Sequence, residues 1–192
     1  MKKLFLHVLI LFSGAQVKSQ VLISLLFGDK LNSPNLEFGL NTGLSFSQIS
    51  GLESSDRLGG FNLGLYFDIR AKNDLWIHTG ILLISDQGLN GLKNEDLLTI
   101  GATDLELQGD YIQRLSCWYV PILAHYRFKN RIFAELGPQV GLIREGAVRF
   151  EAEDGDFTTV IEEDNLDEMN RLDIGVTVGA GYKLTEGVGM SL

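Results

Sequence analysis

Cysteine, proline and positive charge are all scarce in this chain of 192 residues, which holds one Cys, three Pro and 16 Lys and Arg against 25 Asp and Glu. A single Cys117 rules out an intramolecular disulfide and a cysteine metal cluster, and reads as a buried, inert thiol. The formal charge of −9 argues against nucleic acid as a partner, because phosphate binding needs a basic surface. Beyond the N-terminus no run approaches the ~20 apolar residues of a membrane helix. Zinc-ligand spacing, a phosphate loop and a nucleophile elbow are also missing. Neither a metal nor a cofactor is expected, and no catalytic residue is assigned.

Glycine is plentiful, at 22 residues, and apolar residues alternate with polar or small ones over long stretches. The stretch from Trp118 to Leu142 sets the pattern. Trp118, Val120, Ile122, Ala124, Tyr126 and Phe128 share one face of a first arm. Ile132, Ala134, Leu136, Pro138, Val140 and Leu142 share the same face of a second. Lys129-Asn130-Arg131 turns between them, so the arms form a hairpin. The other face carries Tyr119, His125, Arg127, Glu135 and Gln139 with small glycines. Each arm has the length of a tilted strand crossing a bilayer, roughly 9–11 residues. An apolar outside with a polar inside is the pattern of a transmembrane β-barrel. Lipid cannot satisfy open backbone groups, so a membrane protein without spanning helices must be a closed barrel.

Residues 1–19 read as a secretory signal peptide. Lys2 and Lys3 precede the apolar Leu4–Phe12, and small residues precede a cut after Ser19, with Ala15 as an alternative. Residues 20–35 read as a periplasmic lead-in and 36–192 as the barrel domain. Its strands are Leu36–Ser47, Gly60–Arg70, Leu75–Ser85, the two arms of the hairpin, and Leu172–Leu184, and a further alternation starts at Val188. In the third strand Leu75, Ile77, Thr79, Ile81 and Leu83 are assigned outward, and Trp76, His78, Gly80, Leu82 and Ile84 inward. Long loops at 48–58, 86–110 and 145–170 alternate with short turns. Outer-membrane barrels have this order, with long extracellular loops and periplasmic termini. Pro121 points inward and Pro138 outward in adjacent arms. Each removes a ladder donor, so a bulge is expected there.

Several pieces resemble the PorT-like outer-membrane β-barrel family of Bacteroidetes-type bacteria. They are Phe38-Gly39-Leu40-Asn41-Thr42-Gly43-Leu44, Gly60-Phe61-Asn62-Leu63-Gly64, Tyr119-Val120-Pro121-Ile122-Leu123-Ala124-His125-Tyr126, Glu135-Leu136-Gly137-Pro138, and Asp173 through Tyr182. The resemblance covers residues 36–192 and rests on the order and spacing of these pieces. It implies an all-β, antiparallel up-and-down transmembrane β-barrel, eight-stranded in the family, with about six to seven strands in this chain. It also implies a link, in one branch, to the machinery of type IX export and gliding. The family continues through a full seventh and an eighth strand and usually closes on an aromatic residue. The chain is therefore expected to be a C-terminal truncation, which would leave an unfavourable open edge in lipid.

A symmetric turn at residues 129–131 sets His125 opposite Glu135, both inward. Such a pair can shuttle a proton or bind an ion, which keeps a lipid-modifying barrel enzyme as one alternative. No activated Ser or second acid joins the pair by motif. The preferred reading is a structural polar network of His125, Glu135, Arg127, Asp68, Arg70, Asp173 and Lys183 in a lumen just wide enough for side chains. Outward Tyr126, Phe128 and Tyr182 are expected near the periplasmic interface as an aromatic girdle. The acids of the third loop, tightest at Glu153-Asp154-Gly155-Asp156, lack the full calcium-loop spacing and read as a solvated, partner-facing surface. A second alternative is a soluble periplasmic carrier of lipocalin type, in which the apolar set would line a cavity. The glycine-rich polar face, with few Lys or Glu, favours the barrel instead. The expected function is a non-enzymatic scaffold or export accessory at the cell outer membrane. Its expected partners are outer-membrane lipid, the barrel-insertion machinery and, through the resemblance, other secretion-system components.

Overall fold

The computed structural model describes residues 32–53, 56–105, 109–154, 157–185 and 188–192. The signal segment 1–19 and the lead-in as far as residue 31 lie outside the described residues. The strands are β1 (Leu36–Ser47), β2 (Asp56–Lys72), β3 (Leu75–Asn90), β4 (Asp110–Arg127), β5 (Ile132–Asp154), β6 (Phe157–Asp164), β7 (Leu172–Thr185) and β8 (Val188–Ser191). They form one antiparallel sheet in the order β1-β2-β3-β4-β5-β7-β8, and β6 pairs with the distal half of β5. The sheet curls far enough for Lys183 of β7 to reach Glu37 of β1, 2.8 Å away. Among the described residues β1 and β8 end this path, and β6 has a free edge of its own.

Two tight turns fix the register. Asn73, in the left-handed region, joins β2 to β3, and Arg131, also left-handed, closes the turn between β4 and β5. The second turn is symmetric, so His125 pairs with Glu135 and Arg127 with Phe133. Period two then decides what each residue meets. On β7, Val176 and Val178 are both 74% exposed, while Asp173, Thr177 and Lys183 turn inward. Val120, Ile122, Leu136, Val140 and Leu142 form the same outward face on β4 and β5. Each such side chain gains roughly 1.5–3 kcal/mol on leaving water. The outer face therefore suits lipid, and the carrier alternative, which needs these residues inside, does not fit.

The narrow interior explains the glycines. Gly39 pairs with Tyr66, Gly141 with Tyr119 and Gly181 with Phe133. A Cβ at these glycines would stand 2.6, 2.4 and 2.2 Å from the facing rings. Each inward ring lies on bare backbone of the neighbouring strand.

Three expectations change. First, Ile84 faces outward. Leu63 pairs with Ile84 but Gly64 with Leu82, so Leu83 is an extra residue and the parity of β3 flips beyond it. Ser85 consequently points inward and donates to Asn62 Oδ1 at 2.8 Å. Second, the prolines cause no bulge. The register at Pro121↔Gln139 continues unshifted at Ala124↔Leu136, so pairing lapses between them without slipping. The bulge of this strand pair lies at Ser116/Cys117, where Arg144 is the extra residue. Third, residues 86–110 and 145–170 are not simply loops. β3 runs on to Asn90 and a short helix α1 (Asn94–Thr99) follows; β5 runs on to Asp154 and β6 returns along it. The bulge at Arg144 restarts the alternation out of phase, which hides this continuation in the sequence.

These extensions fold together as a cap. Leu89, Leu97, Tyr111, Val148 and Phe150 form its buried centre, with Ile49, Leu52 and Leu105 packed against them. Helix α1 ends at Gly101 (φ +71°), with Ala102 N–H on Leu97 O and Gly101 N–H on Leu98 O. Asp96 Oδ1 accepts from Glu53 N–H at 2.7 Å, which ties the first loop to this helix. Gln113 and Asn165, both buried, exchange amide hydrogen bonds of 3.1 and 2.9 Å and tie β4 to the link between β6 and β7.

Candidate functional site

The inward polar side chains gather at the short-turn end of the lumen, around Arg127. Its Nη1 and Nη2 donate to Glu37 Oε1 and Oε2 at 2.6 and 2.9 Å, a two-pronged contact from β4 to β1. Nη2 also donates to Asp68 Oδ2 on β2. Nε donates to His125 Nε2 at 3.1 Å. The guanidinium lies 3.8 Å from the centre of the Trp76 ring. Lys183 Nζ donates to Glu37 Oε2, so β7 joins the same cluster. Asp68 Oδ1 meets His78 Nδ1 at 2.6 Å, and Glu135 Oε1 meets His125 Nδ1 at 2.6 Å. A row of stacked rings, Tyr66–His78–His125–Phe133, crosses β2 to β5 beside it, with centres 5.4, 6.1 and 4.6 Å apart. Six strands thus contribute to one layer. Each contributing residue has inward parity and lies at a similar height above the turns.

This geometry limits the chemistry. A guanidinium only donates, so His125 Nε2 must accept and His125 Nδ1 must carry the proton that Glu135 receives. Both ring nitrogens of His125 are then engaged, and the ring is 2% exposed. Asp68, His78 and His125 bring one ligand atom each within 4.8 Å of one another, the only such group large enough for a metal among the described residues. Arg127 already donates to two of the three. A metal ion would have to displace that fixed cation.

The sequence-assigned residues divide into three groups. His125, Glu135, Arg127, Asp68 and Lys183 meet in this cluster. Asp173 lies nearer the cap and accepts from Tyr119 O–H at 2.8 Å, in a separate contact. Arg70 is exposed at the rim, where Nε donates to Asn73 O at 3.0 Å, and it touches the network only at its margin, 5.7 Å from the centre of the Trp76 ring. Its height explains this, because it is one step from the turn and follows the turn's carbonyl. Glu37, His78 and Trp76 also belong to the cluster, and only their inward parity marks them in the sequence. Tyr126, Phe128 and Tyr182 are outward and exposed beside the short turns, and the first two pack edge to face at 4.8 Å.

The family model of the outer membrane protein beta-barrel domain matches residues 15–192. Among curated proteins and among solved structures, none matches the chain.

Proposed function

The chain belongs to the outer membrane protein beta-barrel domain family, and on that premise we propose that it is a non-enzymatic outer-membrane barrel that carries a folded cap outward as a scaffold or accessory in protein export. The observation that carries this reading is the engagement of the histidine at the centre of the polar layer. The His125–Glu135 pair is bound on its far side by Arg127, so neither ring nitrogen of His125 is free to meet a substrate. The cap supports the scaffold role. Its hydrophobic centre gives the long-loop end a fixed shape, which suits recognition of a partner. The export-linked part, of type IX or gliding type, rests on the PorT-like strand motifs alone. In this reading residues 1–19 direct export, and Tyr126, Phe128 and Tyr182 mark the periplasmic edge of the bilayer.

Fractionation of cells tests the location. The protein is expected in the outer membrane, with a gel mobility that changes on boiling; recovery from the soluble periplasm would end the reading. Deletion of the gene tests the role and is expected to impair secretion or gliding, whereas an unchanged secretome would remove the export link. His125→Ala and Glu135→Gln are expected to leave the lipid profile of the cell unchanged. A changed profile would favour a lipid-modifying enzyme.

A further inference from the structure

We propose that Arg144 and Arg171, with Trp118 beneath them, form a binding strip for the phosphate of an outer-leaflet lipid head group. The proposal rests on the membrane orientation given above. Going up β4 and β5, the outward pairs are Tyr126/Ala134, Ala124/Leu136, Val120/Val140 and Trp118/Leu142, and the next pair is Ser116/Glu145. The apolar band therefore ends at Trp118, one tilted-strand length from the short turns. Leu142 also pairs with Leu172 of β7, and Arg171 O accepts from Ile143 N–H just above it. Arg144 on β5 and Arg171, just before β7, thus flank the band's upper border.

Arg144 continues the outward parity of Val140 and Leu142 on β5, the bulge brings Glu145 to the same side opposite Ser116, and the Arg144 guanidinium lies 5.1 Å from the centre of the outward Trp118 ring. Tryptophan favours the membrane interface, where an apolar body and a polar edge are both satisfied. Arginine matches phosphate with paired donors. The present partners of the two arginines are weak competitors. Arg144 Nη2 donates to Ser116 Oγ at 3.2 Å and meets Glu145 at 3.3 Å, and Arg171 Nη2 meets Asp167 at 3.0 Å; the two carboxylates are 74% and 94% exposed. Such exposed pairs hold loosely. A lipid phosphate approaches instead from the low-dielectric side, where its attraction to a guanidinium is stronger. Arg114 lies higher, in a cleft lined also by Asp86, Glu145 and Glu162, above the apolar border and outside the strip.

Quenching of tryptophan fluorescence by lipids brominated in the acyl chain tests this, on the full chain extracted from membranes and placed in vesicles. Trp76 lies inside the lumen, so lipid contact is reported by Trp118. Brominated phosphatidylglycerol is expected to quench more than brominated phosphatidylcholine in mixed vesicles. Arg144→Gln should cut that preference about fivefold, the effect of one cation at an anionic surface. Arg171→Gln should act similarly, and Arg131→Gln, at the opposite rim, should not. Equal quenching by both lipids would overturn the strip while leaving the membrane wall intact. No quenching by either would overturn both readings. Loss of the preference on chelating divalent cations would mean that bridged carboxylates, not arginines, hold the lipid, and would also overturn it.

Discussion

β4 and β5 run through two regions of opposite polarity, a wall and a cap. In the wall the outward residues are Val120, Ile122, Val140 and Leu142, and the inward ones are His125, Arg127 and Glu135. In the cap the same two strands turn Tyr111, Val148 and Phe150 inward, while Arg149 and Glu151 sit on the alternate face with an ion contact of 2.6 Å. The change falls at the bulge where Arg144 is inserted. The backbone pairing is alike on both sides of it. What differs is the solvent, lipid around the wall and water around the cap. Alternation therefore reports that a strand has two unlike faces, and only the surroundings decide which face is the core. The wall is held by charge and ring contacts across the lumen, the cap by apolar burial.

The largest expected effect separates these two sources of stability. Arg127→Met leaves Glu37, Asp68 and His125 without their common donor and is expected to cost about 3–5 kcal/mol, as for other broken buried ion networks. Denaturant unfolding of the barrel in micelles, followed by heat-dependent gel mobility, measures it. Lys183→Met removes an outer member of the same cluster, one about a quarter exposed, and is expected to cost under about 1 kcal/mol. Equal losses would show that the network does not act through its buried centre. In the cap, Phe150→Ala opens a site that is 2% exposed and is expected to cost about 3–5 kcal/mol. Here the readout is different. Protease added to whole cells should cut the cap faster while the wall keeps its mobility shift. Loss of the shift as well would mean that wall and cap do not unfold separately.

The wall is legible in sequence because lipid imposes a strict period of two, and the symmetric turn at 129–131 even sets His125 against Glu135. The cap is not. Its strands continue those of the wall, but Leu83 and Arg144 each insert one residue, so the apolar positions change parity and the run resembles a polar loop. Ile84 is misplaced for the same reason. The cluster around Arg127 is legible only in part. Glu37 and His78 carry inward parity, yet joining them to Asp68 requires the register of β1 to β3, which depends on turn geometry at Asn73. The contact from Lys183 to Glu37 depends on the curl of the whole sheet, a property that no local pattern encodes.

A charge on the outward face tests the solvent argument at one step lower in energy. Val176→Arg places a cation in the middle of the lipid-facing row of β7 and is expected to cost about 2–4 kcal/mol near the midplane. It should lower the fraction that reaches the outer membrane in heat-modifiable form. Val160→Arg, on exposed β6 of the cap, is expected to change stability by no more than about 0.5 kcal/mol. A tolerated Val176→Arg would place water, not lipid, against β7.

Two inward glycines give the finest distinction, because they differ in how much of the lumen is filled. At Gly141 a Cβ would meet the Tyr119 ring at 2.4 Å, and that ring is held by its hydrogen bond to Asp173. Gly141→Ala must push the ring aside, and overpacking of this kind costs about 1–3 kcal/mol. At Gly43 nothing lies within 4 Å of a Cβ. Gly43→Ala is expected to be neutral or to add up to about 1 kcal/mol by restricting the unfolded chain. The pair is compared by denaturant midpoint in the same micelles. A loss at Gly141 with none at Gly43 means that rings fill the lumen on the β4–β5 side while space remains beside β1. Equal losses would mean that both glycines are required by the curvature of the sheet, and the account of rings lying on bare backbone would fail.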